Sequence, residues 1–120
     1  MNISQAARAS GLSVKTIRYY EEIDLLPPAR RAANGYRDYD QPEVTAMSFL
    51  QRARDVGFSL DECRYLLSLY HDPKRQSAHV KSLVEDKCDE IELRIQRLQS
   101  TREMLQTLAA TCAEIGRAHV

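Results

Sequence analysis

A mainly α fold with one small β element follows from three observations on this 120-residue chain. Helix-capping residues recur ahead of apolar residues at three- and four-residue spacing. An Asn-Gly pair sits in an arginine- and tyrosine-rich stretch behind a Pro-Pro break. A tract from about Arg75 to Thr111 holds neither Gly nor Pro and carries apolar residues seven apart. At 43% hydrophobic and 28% charged, with 4 Gly and 4 Pro, the chain is globular and helix-favouring, and its length excludes a multidomain enzyme. A chain this short buries a thin core, so a second subunit covering an apolar stripe is an expected source of stability.

The elements follow in order. Ser4 is expected to cap a short helix running to about Ser10, with Gly11 supplying the positive φ of a tight turn. Ser13 then caps a second helix, Val14 to Glu22. Two short helices about a glycine turn form a helix-turn-helix. Ile3, Ala6, Ala7, Leu12, Ile17 and Leu25 would pack the pair together, leaving Lys15, Thr16, Arg18 and Tyr19 on the outer, recognition face. Pro27-Pro28 ends the helical region, and Asn34-Gly35 reads as a two-residue hairpin turn, so residues 30–39 are expected to form a two-stranded wing. Asp40-Gln41-Pro42-Glu43 looks like a capping box opening a helix to about Val56, closed by Gly57, and Ser59-Leu60-Asp61-Glu62 repeats the signal for a helix to Asp72-Pro73. In the last tract Val84, Ile91, Leu98 and Leu105 fall seven apart, with Cys88, Ile95 and Ala109 in an adjacent row. That repeat predicts a long helix packed along another, and a second copy of the same helix is the simplest partner.

The 17 basic and 17 acidic residues sum to zero, but the total hides local sign. Residues 1–37 carry Arg8, Lys15, Arg18, Arg30, Arg31 and Arg37 against only Glu21, Glu22 and Asp24, whereas residues 55–120 are mildly acidic. The absence of a long apolar run or a leader-like N-terminus points to a cytoplasmic protein with no membrane partner. Three cysteines, an odd number with no close pairing, argue for reduced thiols.

Two groups of residues carry chemistry. Lys15, Thr16, Arg18 and Tyr19, with Arg30, Arg31, Tyr36, Arg37 and Tyr39 of the wing, suit duplex DNA: Arg and Lys reach phosphates and guanine edges, and tyrosine hydroxyls donate to phosphates. The second group is the thiols. Cys63 lies on an apolar helical row and Cys88 on the long-helix seam, so both read as packing residues. Cys112 is the metal-ligand candidate, while His71 and His79 read as surface residues. No catalytic constellation is present, and the protein is expected not to be an enzyme.

Thr16-Ile17-Arg18-Tyr19-Tyr20-Glu21, Leu25-Leu26-Pro27-Pro28, Asn34-Gly35-Tyr36-Arg37-Asp38-Tyr39 and Val56-Gly57-Phe58-Ser59-Leu60 together make the chain resemble the MerR family of winged-helix transcription regulators. The resemblance runs through Cys112. It implies a homodimer joined by an antiparallel coiled coil, which distorts double-stranded promoter DNA so that RNA polymerase can engage both promoter elements. It further implies that Lys15, Thr16, Arg18 and Tyr19 meet the major groove, that Arg31, Tyr36, Arg37 and Tyr39 hold the flanking backbone, and that Arg54 adds a phosphate contact.

Residues 72–81 and Cys112 are similar to the copper(I)-responsive, CueR-like branch of that family, which activates copper-efflux and detoxification genes. Soft thiolates favour Cu(I), and also Ag(I) or Au(I). Ser77 stands where sensors of divalent metals carry a third cysteine, and Lys81 matches a lysine that offsets the charge of a thiolate pair. Sensors of this branch place a second cysteine shortly after the first. Here residues 113–120 contain none, so metal binding by this chain is expected to be weak or absent. Residues 114–120 can be back-translated to a stretch containing the start of a common sequencing adapter, so they are expected to be a non-native tail. The expected organisation is a winged helix-turn-helix domain with bracing helices over 1–72, a dimerisation helix over 73–112, and a remnant of a metal loop with the foreign tail over 113–120. The alternatives are a member of the family that senses another metal or a redox signal and, outside it, a helical adaptor or thiol metal carrier.

Overall fold

The computed structural model describes residues 1–74 and 78–118, and its elements are α1 (Ile3–Ser10), α2 (Val14–Glu22), β1 (Arg30–Arg31), β2 (Arg37–Asp38), α3 (Gln41–Asp55), α4 (Leu60–His71) and α5 (Ala78–Ala118). The mainly α class with a two-stranded wing is the one the sequence predicts.

Capping decides where most helices begin. α1 starts two residues earlier than a cap at Ser4 would allow. Asn2 is its cap, with Oδ1 accepting from the Gln5 amide at 2.8 Å while Gln5 Oε1 accepts from the Asn2 amide at 2.9 Å. Ser4 has only Ala7 three residues on, which cannot close such a reciprocal box. Gly11 takes φ 82 at the turn, and Ser13 Oγ accepts from the Thr16 amide at 3.0 Å to open α2. Asp40 caps α3 through the Glu43 amide at 2.9 Å, and Ser59 with Glu62 forms a complete capping box for α4.

The wing is real but its turn is not the expected two-residue type. Arg30 pairs with Asp38 and Arg31 with Arg37, and the loop between them is closed by the Gly35 amide donating to the Ala32 carbonyl at 2.9 Å and the Ala32 amide to the Tyr36 carbonyl at 2.8 Å. Gly35 alone in this loop has positive φ, at 82, whereas a two-residue turn of the expected kind needs Asn34 there as well. The result is a three-residue loop, Ala33 to Gly35, with the glycine absorbing the left-handed step.

Residues 1–80 form one compact unit and 81–120 a second. In the first, α1 packs on α2 and α3, and α3 on α4. Ala6, Ile17, Leu50 and Cys63 are fully buried at its centre, with Met47 and Tyr39 beside them. Burial pushes the Cys63 thiol above its ordinary pKa, the mark of a packed and unreactive cysteine.

The second unit consists of α5 beyond Val80. No described residue from Lys81 onward is buried, and Leu98, Met104, Leu105 and Leu108 are each 59–69% exposed. The helix runs past Cys112 through Ala118, where a loop was expected. Residues 113–118 include no proline and a single glycine, so nothing in the local sequence stops it.

Candidate nucleic-acid interface

α2 divides its side chains by periodicity. Ile17 and Tyr20 turn into the core, whereas Lys15, Arg18 and Tyr19 are exposed. Thr16 is half-buried, and its hydroxyl lies 2.8 Å from Ser13 Oγ, so it serves the helix start. The wing lies against the same face. Asn2, Ile3, Arg18, Arg31, Tyr36 and Arg37 line one open groove of about 240 Å³. Arg31 is steadied by donation from Nη1 to the Gly35 carbonyl at 2.9 Å, and Tyr36 is 73% exposed at the wing tip. Three cationic or phenolic groups of the wing and one arginine of α2 thus converge on a single concave surface, which suits a phosphate-lined ligand.

Tyr39 does not belong to that surface. It is 2% exposed, and its hydroxyl donates to Glu21 Oε1 at 2.6 Å, which places it in the core rather than on a DNA backbone. Burial first, and then the bond to Glu21, push its pKa up to about 12. The cause is the alternation of extended chain carried one residue past β2: Arg37 and Tyr39 lie on the inward side while Asp38 is exposed. Arg37 Nη1 lies 3.1 Å from Glu21 Oε2 as an ion pair without hydrogen-bond geometry, and that nitrogen is buried. Glu21 therefore ties the recognition helix to the wing. Sequence reading counted it only as an acidic residue, although its position four residues after Ile17 puts it on the inward face of α2.

Arg30, a wing candidate, is turned away by Asp40 and by Glu43 at 3.2 Å. The Glu43 amide, followed by Arg30, holds the Asp40 carboxyl below its ordinary pKa, while burial raises that of Glu43. Arg54 is exposed at the end of α3, with Nη1 donating to the Phe58 carbonyl at 2.7 Å across the α3–α4 turn. Arg64 was also missed by sequence reading, since nothing local reveals that its guanidinium reaches the Ile23 and Asp24 carbonyls some forty residues away.

The thiol candidates stand apart. Cys112 and Cys88 are both exposed on α5, separated by about 36 Å at a rise of 1.5 Å per residue. Lys81 is exposed and loosely paired with Glu85 at 3.9 Å, and Ser77 lies outside the described residues. Among the described residues no group of three or more His, Cys, Asp or Glu side chains could hold a metal ion. His79 sits edge-on to Tyr65 and His71 edge-on to Tyr70, both with ring centroids 5.7 Å apart.

A helix-turn-helix with an adjoining arginine-bearing wing defines a DNA-binding regulator. Family models agree: residues 2–39 match the MerR family regulatory protein model and residues 44–108 the model described as MerR, DNA binding. The chain is 47% identical to the HTH-type transcriptional regulator CueR of Salmonella typhimurium over 93% of this chain and 81% of that one. It is 48% identical to the HTH-type transcriptional regulator HmrR of Rhizobium leguminosarum bv. viciae over 93% and 86%. Among solved structures it is similar to the lead(II) complex of PbrR691 from Ralstonia metallidurans CH34, with TM-score 0.64 and 29% identity over 90% of this chain and 84% of that one. The fold also matches HiNmlR bound to promoter DNA, with TM-score 0.72 and 24% identity over 86% and 78%. The chain belongs to the MerR family and is a DNA-binding transcriptional regulator homologous to the CueR and HmrR regulators.

Proposed function

We propose that the protein is a copper(I)-responsive regulator of copper-efflux and detoxification genes that binds operator DNA as a homodimer in the cytoplasm and acts on RNA polymerase at the promoter. The observation that carries the DNA-binding part is the groove shared by Arg18 of α2 with Arg31, Tyr36 and Arg37 of the wing. Lys15, Arg18 and Tyr19 enter the major groove, Arg31, Tyr36 and Arg37 hold phosphates, and Arg54 reaches the backbone from the end of α3. The apolar rows of α5, exposed on one chain, are the surface that a second copy covers.

The copper part rests on the similarity to CueR and HmrR and on one soft, exposed thiol, Cys112. Cu(I) or its congeners Ag(I) and Au(I) would take Cys112 as a donor. The described residues supply one thiolate and no second sulfur within reach, which is half of a two-coordinate site. The test is binding and transcription on an operator selected from a random duplex library, with Cu(I), Ag(I), Zn(II) and Hg(II). Operator binding with a Cu(I) response that appears or strengthens when a second cysteine is placed shortly after Cys112 supports the reading; a full Zn(II) response, or no Cu(I) response in that form, opposes it.

A further inference from the structure

The last turn of α2 runs against the helix dipole. Glu21 and Glu22 stand at its C-terminus and no basic residue lies in that turn. The chain then passes through Asp24 at φ 57, a left-handed conformation that a residue with a Cβ adopts at a cost. The inner side of this bend is held by backbone bonds, with the Leu25 and Leu26 amides donating to the Tyr20 carbonyl at 2.9 and 3.1 Å. The outer side is held from another element. Arg64 of α4 donates from Nη1 to the Asp24 carbonyl at 2.9 Å and from Nη2 to the Ile23 carbonyl at 3.0 Å. One planar fork thus brings a positive charge to the negative end of α2 and bridges the carbonyls of the two residues that follow the helix. The fork starts from a fixed point, because its neighbour Cys63 is fully buried.

We infer that Arg64 is a positioning residue for DNA recognition: it fixes the C-terminal end of the recognition helix to α4. The angle at which Lys15, Arg18 and Tyr19 meet the duplex then depends on where α4 stands. The inference rests on the reading of α2 as the recognition helix. It gives Arg64 no phosphate contact of its own, so its effect falls on the specific operator and not on DNA at large. Lysine, with a compact ammonium, cannot span both carbonyls as the guanidinium does. Glycine at position 24 adopts the left-handed bend without strain and lessens the need for the fork.

The test is an anisotropy titration on the selected operator and on an unrelated duplex, across a salt series. It compares the wild type, Arg64→Ala, Arg64→Lys, Arg64→Ala with Asp24→Gly, and Arg18→Ala, at a temperature where circular dichroism finds every variant folded. Arg64→Ala is expected to weaken operator binding about five- to tenfold, the scale of two charge-assisted hydrogen bonds partly transmitted to the interface. Its affinity for the unrelated duplex and its salt slope stay at wild-type values. Arg64→Lys falls between the two, and Asp24→Gly recovers most of the loss. Unchanged operator binding by Arg64→Ala, even with a lower Tm, overturns the inference while leaving α2 in its role if Arg18→Ala still binds weakly. Equal losses on both duplexes with a salt slope reduced by about one overturn it in favour of a phosphate contact. A double variant no better than Arg64→Ala overturns the route through the left-handed bend, and unchanged binding by Arg18→Ala overturns the reading of α2 beneath it.

Discussion

The two units of this chain solve the problem of apolar surface in opposite ways. Residues 1–80 turn theirs inward, and Ala6, Ile17, Leu50 and Cys63 are wholly shielded from water within one chain. Beyond Val80 the long helix leaves its apolar rows uncovered by its own chain, with Leu98 64% and Leu105 59% exposed. A head of that kind is held by its own packing. An arm of that kind holds its stripe for another helix, because isolated helices draw little stability from propensity alone. On the proposed reading the contrast separates two tasks: the head carries the basic face, and the arm sets how many such faces act together.

The comparison can be broken first in the head. Leu50→Ala leaves a cavity at a fully buried site and is expected to destabilise the head by about 2–5 kcal/mol in a denaturant titration. In the arm, Leu98→Glu is expected to leave head secondary structure intact by circular dichroism yet convert the dimer to monomer in sedimentation velocity. Operator affinity should then fall by roughly a hundredfold, since paired half-sites are no longer bound as one unit. Arg18→Ala should weaken operator binding about tenfold through loss of a base-edge contact. Arg30→Ala should change it by less than about twofold, because Arg30 is already engaged by Asp40 and Glu43. The smallest effect concerns Tyr39→Phe. Its hydroxyl is pushed from 10.0 up to about 12, so the stabilisation it gives is complete below pH 10 and is lost as pH rises toward 12. Thermal melts over that range should decline less steeply for Tyr39→Phe than for the wild type.

What could be read from the sequence was local chemistry. Ser13, Ser59 with Glu62, and Gly11 announce their caps and turn because the partner groups lie within three or four residues. The outward face of α2 was legible for the same reason, since helical periodicity places Lys15, Arg18 and Tyr19 opposite Ile17. Tyr39 was misread as a surface residue because its hydroxyl partner, Glu21, lies on another element and only strand alternation hints at its burial. Arg30 and Arg64 failed in the same way: each is committed to groups that only tertiary folding brings near. The wing turn shows a finer limit. Asn-Gly signals a reversal, but whether one or both residues go left-handed depends on the strand register around them.

The central claim is that the arm presents two basic heads to one duplex. Its most direct test is a stoichiometric anisotropy titration of the 120-residue protein against the selected operator, repeated across a salt series. The account predicts two chains per duplex and an affinity that falls linearly with the logarithm of salt concentration, as counterion release requires. A single chain per duplex, or an affinity indifferent to salt, would contradict it.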